Sequence, residues 1–476
     1  MPGPGPLLLL PTGDARPSGI DLRAGCAAAA AALPGSSGPA RVWFRLPGGR
    51  KLNGPRRWLF WFLLVAPPAA AERLTLAEAV QLALRLNPGA QAARLNAQAA
   101  AEIPLQVRAG LFPQLTAQSS VAGAPDDTRI AAGGLNNPII ISRLGFGLTV
   151  TQLITDFRRT SRLAAAAAAR ARAESESARL NRGQLTLEVT RAYLAGLRAQ
   201  NVERTAQQTL QVRQALLDQT RLLAQNQLKS ELDVRFAQVS VSEAELLLTL
   251  SRNEKESALA DLALALGRTS GADLELVEPP PVSRDLDSLT AHIAQAQQDH
   301  PETRQRRLIL EAAKLQAEAE DLSRFPTISA IATAGAIPAR ADRLTRDNYL
   351  AAGVNLQLPV LNGRQIAARR AEARLRAEAA SRQLTEAENR LARNITATLL
   401  SIRAAQERIR LAGELIQQSR QAEELARLRY ELGLSTMIEL TQAQLSLLSA
   451  EVQRLTAQYD LELQWAILDF HLGATP

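Results

Sequence analysis

From Glu72 onward the chain alternates between two hydrophobic periods, and each stretch of either kind occurs twice. Leu76, Ala79, Val80, Ala83 and Leu84 fall at helical spacing and predict a short amphipathic helix. Asn87-Pro88 ends it, because a residue before proline avoids the α region. A second helix is expected to about Leu111. Phe112-Pro113 then opens a strand, where a missing ladder donor is tolerated. Leu115, Ala117 and Val121 alternate with Thr116, Gln118 and Ser120, Ser119 being the exception, which predicts a strand over about 114–122. A Gly/Pro/Asp/Asn-rich loop follows. Leu144, Phe146, Leu148 and Val150 then alternate with Gly145, Gly147, Thr149 and Thr151, a second strand over about 143–152. Beyond it the period becomes helical over about 158–226, turns near Gln227–Ser230, and stays helical over about 231–266. At about 1.5 Å per residue the first of these is a rod on the order of 100 Å, which must lie against other long helices.

The same order then recurs. A linker over 269–287 contains Pro279-Pro280-Pro281, and 288–473 forms a second copy of 72–268. A short helix is expected from Leu289 to His300 and another from Pro301 to Arg324. Strands follow at about 327–336 and 349–358, then long helices at about 365–432 and 436–471. Asn87-Pro88 returns as His300-Pro301 and Phe112-Pro113 as Phe325-Pro326, both shifted by 213. Beyond the hairpin loop the shift is 206: Arg158 matches Arg364, Leu228 matches Leu434, and Leu266-Gly267 matches Leu472-Gly473. A register held over roughly 200 residues marks a duplicated, domain-sized unit rather than a short-repeat array. Leu384, Leu391, Ile395, Leu399, Ile402, Ile409 and Ile416 fall three, four or seven apart, a coiled-coil seam. The fold expected is mostly α with a small β part.

Composition changes this picture in two places. The net charge of +8 is concentrated in residues 1–71, which carry eight Lys or Arg against two Asp, leaving only +2 for the rest. No basic stripe suited to nucleic acid stands out on the body. Within that leader, Arg56-Arg57, the apolar run Trp58–Ala66 and the Ala-rich segment to Ala71 have the form of an export signal cut near Ala71. The run is too short to span a bilayer as a helix. Cys26, the only cysteine, permits no intrachain disulfide and reads as a bystander.

No zinc spacing, phosphate-binding loop or nucleophile elbow occurs, and no cofactor or metal is expected. The three histidines, His292, His300 and His471, read as surface or helix-end residues. The strands have the length and alternation of tilted transmembrane β-strands, with Phe112 and Phe325 at equivalent starts where an interfacial aromatic belt would lie. Four strands cannot close a barrel, and an open edge in hydrocarbon leaves backbone groups unpaired at several kcal/mol each. Strands that span a membrane would therefore require several chains to share one barrel. The alternative is a periplasmic coiled-coil scaffold with no channel.

Residues 72–473 resemble the TolC-type outer-membrane efflux proteins. The resemblance rests on the duplicated order of helix, Phe-Pro, strand hairpin, long helix, tight turn and closing helix. It rests also on the segment from Tyr430 to Glu439, which is similar to that family's second hairpin tip. The resemblance implies a homotrimer with a twelve-stranded β-barrel in the outer membrane of a Gram-negative-type bacterium and an α-helical barrel in the periplasm. It implies an exit duct of a tripartite efflux or type I secretion system, carrying small molecules such as drugs or metal ions. The duct would dock a periplasmic adaptor and, through it, an inner-membrane pump. Asp233, Tyr430 and Glu439 match the periplasmic gate. Leu228, Lys229, Ser230, Gly433, Leu434, Ser435 and Thr436 match the adaptor-docking tips. The chain departs from the family pattern at Ser435, where Arg can occur, at Gln442, where a second acid can occur, and at Gln227, opposite Gly433.

Overall fold

The computed structural model describes residues 72–123, 143–270, 274–280, 298–340 and 348–474. The leader with its signal segment, Cys26, His292, most of the linker and most of the expected helix Leu289–His300 lie outside the described residues, as do the centres of both hairpin loops.

Each copy contributes a leading helix, a strand pair and a long helical hairpin. In the first, β1 (Glu72–Leu74) and α1 (Leu76–Leu86) precede α2 (Pro88–Ala109), β2 (Gln114–Ala122), β3 (Arg143–Thr155), α3 (Arg159–Gln225) and α4 (Glu231–Leu266). In the second, β4 (Leu274–Leu276) is followed by α5 (Pro301–Leu322), β5 (Thr327–Arg340), β6 (Asn348–Gln357), α6 (Gln365–Glu431) and α7 (Met437–His471). Both rods, α3 and α6, are 67 residues long.

The duplication extends to backbone conformation. Arg158 and Arg364 both enter their rods with left-handed φ, 74° and 70°. Gln227 and Gly433 close the rods with φ of 64° and 74°. Gly267 and Gly473 close the return helices at 76° and 72°. Asn87 and His300 each cap the helix that starts at the following proline. Two of the three left-handed pairs, Arg158/Arg364 and Gln227/Gly433, hold at least one side chain that left-handed φ does not favour. The tertiary fold therefore imposes these turns over local preference.

β2, β3, β5 and β6 form one antiparallel sheet in that order, so the β3–β5 pairing joins the two copies. Directly opposed residues share a face. One face carries Leu115, Ala117 and Val121 of β2, Leu144, Phe146, Leu148 and Val150 of β3, the alanines 330, 332, 334 and 336 of β5, and Leu350, Val354 and Leu356 of β6. The opposite face carries Thr116, Gln118, Gly145, Gly147, Thr149, Thr333, Gly335, Tyr349, Gly353 and Asn355. The apolar face is not covered: Leu350 is 83% exposed, Val121 79% and Leu115 66%. Glycine is required at 147 and 335, because a Cβ at Gly335 would lie 2.3 Å from the Phe146 carbonyl oxygen and 2.5 Å from the Tyr349 ring. Tyr349 therefore lies across two strands that have no side chain beneath it.

At the foot of the sheet Phe325 stacks on Phe157 at 5.1 Å, with the Arg324 guanidinium 4.9 Å over its ring. Phe112, at the equivalent position of the first copy, is exposed.

Away from the sheet the rods pack through small and branched residues. Leu391, Ile395, Ile402 and Ile416 are buried along α6, and Trp465 and Leu468 of α7 pack into one cluster with the first three. The largest cluster joins α1, the middle of α3 and the end of α4 to a two-stranded parallel ladder of β1 and β4. The Tyr193 hydroxyl fastens that ladder to α3. It lies 2.8 Å from the Leu74 carbonyl and 2.6 Å from the Val277 carbonyl, and accepts the Val277 N–H at 3.1 Å. Nearby, the Tyr459 hydroxyl accepts from Asn201 and donates to Glu278. Burial, with the Glu278 charge adding, pushes its pKa up to about 12, so it stays a donor. Sequence periodicity contains no sign of this ladder, because three-residue strands are too short to show a period.

Candidate functional site

The two hairpin tips fold by the same local chemistry. In the first, Leu228 donates back to the Leu223 carbonyl at 2.9 Å; in the second, Leu434 donates to Arg429 at 2.8 Å. Both are the six-to-one bond that closes a helix after a left-handed residue. Each return helix then starts with a hydroxyl cap. Ser230 Oγ accepts the Asp233 N–H at 3.2 Å, and Thr436 Oγ1 accepts the Glu439 N–H at 3.4 Å. Asp233 completes a capping box by accepting from the Ser230 N–H and hydroxyl at 3.2 and 2.8 Å.

The tips are held against each other by Tyr430 and Lys229. Tyr430 is 4% exposed and packs with Leu217, Ala237, Val241, Met437 and Leu440, drawn from both hairpins. The Lys229 ammonium donates to the Tyr430 carbonyl at 2.8 Å and lies 3.8 Å from the centre of its ring. This is a charge-assisted hydrogen bond and a cation–π contact made by one side chain. The Tyr430 hydroxyl lies near Thr220. Burial raises its pKa, and the charge of Asp233 raises it further. A groove of about 560 Å³ beside it is lined by Thr220, Lys229, Glu423, Arg427, Tyr430 and Gln444 among others.

The structure therefore places the matched gate residues unequally. Tyr430 is buried between the tips, and Asp233 is near enough for its charge to help raise the Tyr430 pKa. Glu439 is exposed, and among the described residues its carboxylate meets neither of them. The docking residues Leu228 and Leu434 are 69% and 67% exposed, and Gly433 has open space around its Cα. Lys229 is the exception in that set, since its charge is spent on Tyr430. Ser435 lies with its hydroxyl 3.5 Å from the Ala426 carbonyl. Sequence reasoning missed Lys229 as the link between hairpins; a cation immediately before the capping box is the only local sign of it.

His300 meets one half of the expectation and not the other. It stands at a helix end, but it is 2% exposed rather than on the surface. Its Nδ1 accepts the Glu302 N–H at 3.2 Å, and its ring meets Phe470 edge-on at 5.8 Å. Burial lowers its pKa against the opposing pull of Glu302. Among the described residues no group of His, Cys, Asp and Glu is placed to hold a metal ion, and no helix is long and apolar enough to cross a membrane.

Comparison with known proteins adds to this geometry. The family description Outer membrane efflux protein matches residues 79–268 and 292–474. No significant match occurs among curated proteins. Among solved structures, an outer membrane protein, VceC from Vibrio cholerae, is 20% identical, with 84% of this chain and 96% of that chain covered at a TM-score of 0.70. A membrane protein from Pseudomonas aeruginosa is 21% identical, with 83% and 90% covered at 0.72. The open state of the MtrE outer membrane channel of Neisseria gonorrhoeae is 21% identical, with 84% and 88% covered at 0.68. At these identities the likeness establishes the fold.

Proposed function

The chain belongs to the outer membrane efflux protein family, and on that premise we propose that it is the outer-membrane exit duct of a tripartite efflux or secretion system. In this reading three copies share one twelve-stranded barrel, and the rods line a tube through the periplasm. The tips dock an adaptor that couples the duct to an inner-membrane pump. Small molecules such as drugs or metal ions are the cargo.

The observation that carries the proposal is the sheet. It has one mostly apolar face, broken by Ser119, Gln152 and Asn348, a second, more polar face, and among the described residues no helix over the apolar side. Its outer strands, β2 and β6, each have a partner on one side only. In water the apolar face would be a large exposed patch. In lipid that face is satisfied, but the two free edges are not. Joining β6 of one copy to β2 of the next removes both edges and leaves the polar face around a lumen. A scaffold without a channel leaves the apolar face unexplained. Phe112 and Phe325, at the feet of the strands, then mark the periplasmic membrane interface.

The helices support the same closure. α5 lies between α3 and α6, and it buries Thr303, Ala312 and Ala319. Its counterpart α2 lies against α3, touches α1 at its start, and buries none of its residues. The open side of α2 calls for a second copy's α6.

At the tips, Asp233, Tyr430 and Glu439 form the gate in this reading, with Lys229 holding the two hairpins in the closed arrangement. Acidic groups near a pore axis favour cations. Purified protein in a planar bilayer should give discrete, cation-selective conductance steps. Asp233→Ala with Glu439→Ala should reduce that selectivity; unchanged selectivity would remove both residues from the pore, and absence of any conductance would remove the duct reading.

A further inference from the structure

The two copies differ in charge where their helices meet. In the second copy, Arg307 of α5 pairs with Glu388 of α6 at 3.1 Å. The equivalent positions of the first copy, 213 and 206 residues earlier, are Arg94 of α2 and Arg182 of α3. An attractive pair has become two cations. Both line a groove of about 500 Å³ between α2 and α3, with Arg172, Gln98, Ser175 and small residues. Among the described residues neither Arg94 nor Arg182 makes an ion pair. Arg172 is already held by Glu311 of α5 at 2.8 Å. A groove with this charge is stabilised by an anion from outside the subunit.

The duplication says where one would come from. α3 packs on α5, and the counterparts of these helices are α6 and α2. Within one subunit α6 and α2 share no substantial packing among the described residues, but a second copy can bring them together. Under the same shifts, the Arg172–Glu311 contact becomes position 378 against position 98, which is Glu378 against Gln98. The acidic side chain has moved to the rod, where a second copy's α6 would present it to the arginine groove. Glu378 is exposed, with only a 3.9 Å contact to Arg382 one turn away. The side of α6 on which it lies is open: Leu375 is 66% exposed, whereas its counterpart Ala169 is fully buried against its neighbours.

We propose that Glu378 of a neighbouring copy seats at the Gln98 end of this groove, accepts from the Gln98 amide and neutralises Arg94, forming the charge lock between subunits. This rests on the proposed self-association, and it goes further by assigning the residues and the direction of the contact. The α2–α3 side of one copy is the cationic socket, and the α6 side of the next is the acidic key.

The test uses the full-length chain with Cys26→Ser, carrying Gln98→Cys and Glu378→Cys, treated in detergent with a short bismaleimide. Covalent species of two and three subunits are expected, while Arg172→Cys with Glu311→Cys should give only crosslinked monomers. Native mass spectrometry of the same samples separates the two levels of the argument. Trimers without crosslinks between subunits would overturn the charge lock and leave self-association standing; monomers would overturn both. A second arm guards against a crosslink formed by chance proximity. Glu378→Arg should weaken subunit association about two- to fivefold per interface, the range of an exposed ion pair. Arg94→Glu added to it should restore association. Failure of either change would equally overturn the proposal.

Discussion

Acidification should loosen the start of α5 through His300. The Nδ1 atom accepts the Glu302 N–H, so the imidazole must be neutral with its proton on Nε2. Protonating Nδ1 would turn that acceptor into a donor facing a donor, at a helix start that already carries partial positive charge. The surroundings offer little relief. Glu302 is engaged by Arg390 of α6, Asp299 by Arg304 at 2.6 Å, and His471 of α7 would repel a second cation. Burial is the leading cause of the lowered pKa of His300 and also of His471, where His300 adds to the shift.

The sign follows from linkage. The folded pKa lies below the unfolded value of 6.5, so in the interval between them the unfolded segment binds more protons. Stability is complete above about pH 6.5 and falls as pH drops toward the folded pKa. The limiting slope is about 1.4 kcal/mol, or tenfold in opening, per pH unit for each histidine. His300→Asn is the informative variant, because Asn87 performs the same capping in the first copy, accepting from Gly89 and Ala90 at 2.8 and 3.3 Å. Hydrogen exchange over residues 299–306, corrected for intrinsic rates, should show opening that rises with acid in the native protein. The slope in His300→Asn should be much flatter. Equal slopes in the two proteins would refute the assignment.

Three further outcomes follow from packing. Gly335→Val should prevent the sheet from forming, since even a Cβ collides with the Phe146 carbonyl and the Tyr349 ring; loss of detergent-stable assembly on gels would show it. Tyr193→Phe should cost about 1–3 kcal/mol, because buried carbonyls lose their donor, and chemical denaturation followed by helical circular dichroism should record it. Gly433→Ala meets no neighbour, so its cost should be the backbone strain of left-handed φ alone, about 1 kcal/mol, seen as faster exchange confined to the second tip.

Much of the fold was legible because duplication writes it twice. A single alternating run such as Leu144–Thr151 is weak; the same run after the same Phe-Pro in both halves is not. The rods were legible from the seam Leu391, Ile395 and Ile402, whose burial follows from its spacing. The β1–β4 ladder was not, because its partners lie about 200 residues apart and each strand has three residues. The burial of His300 was hidden for a different reason. Asn and His both cap a helix before proline, and only packing against Phe470 distinguishes a buried cap from an exposed one. At the tips the turns could be read from Gly433 and the hydroxyl caps. The Lys229–Tyr430 contact could not, since it joins hairpins separated by 201 residues.

The account depends on the sheet being one part of a shared wall. Native mass spectrometry of the protein extracted from outer membrane in mild detergent measures this directly. Three subunits in one particle, with no stable monomer once detergent is removed, is the expected result; a monodisperse single subunit, soluble in plain buffer with its sheet intact, would contradict it.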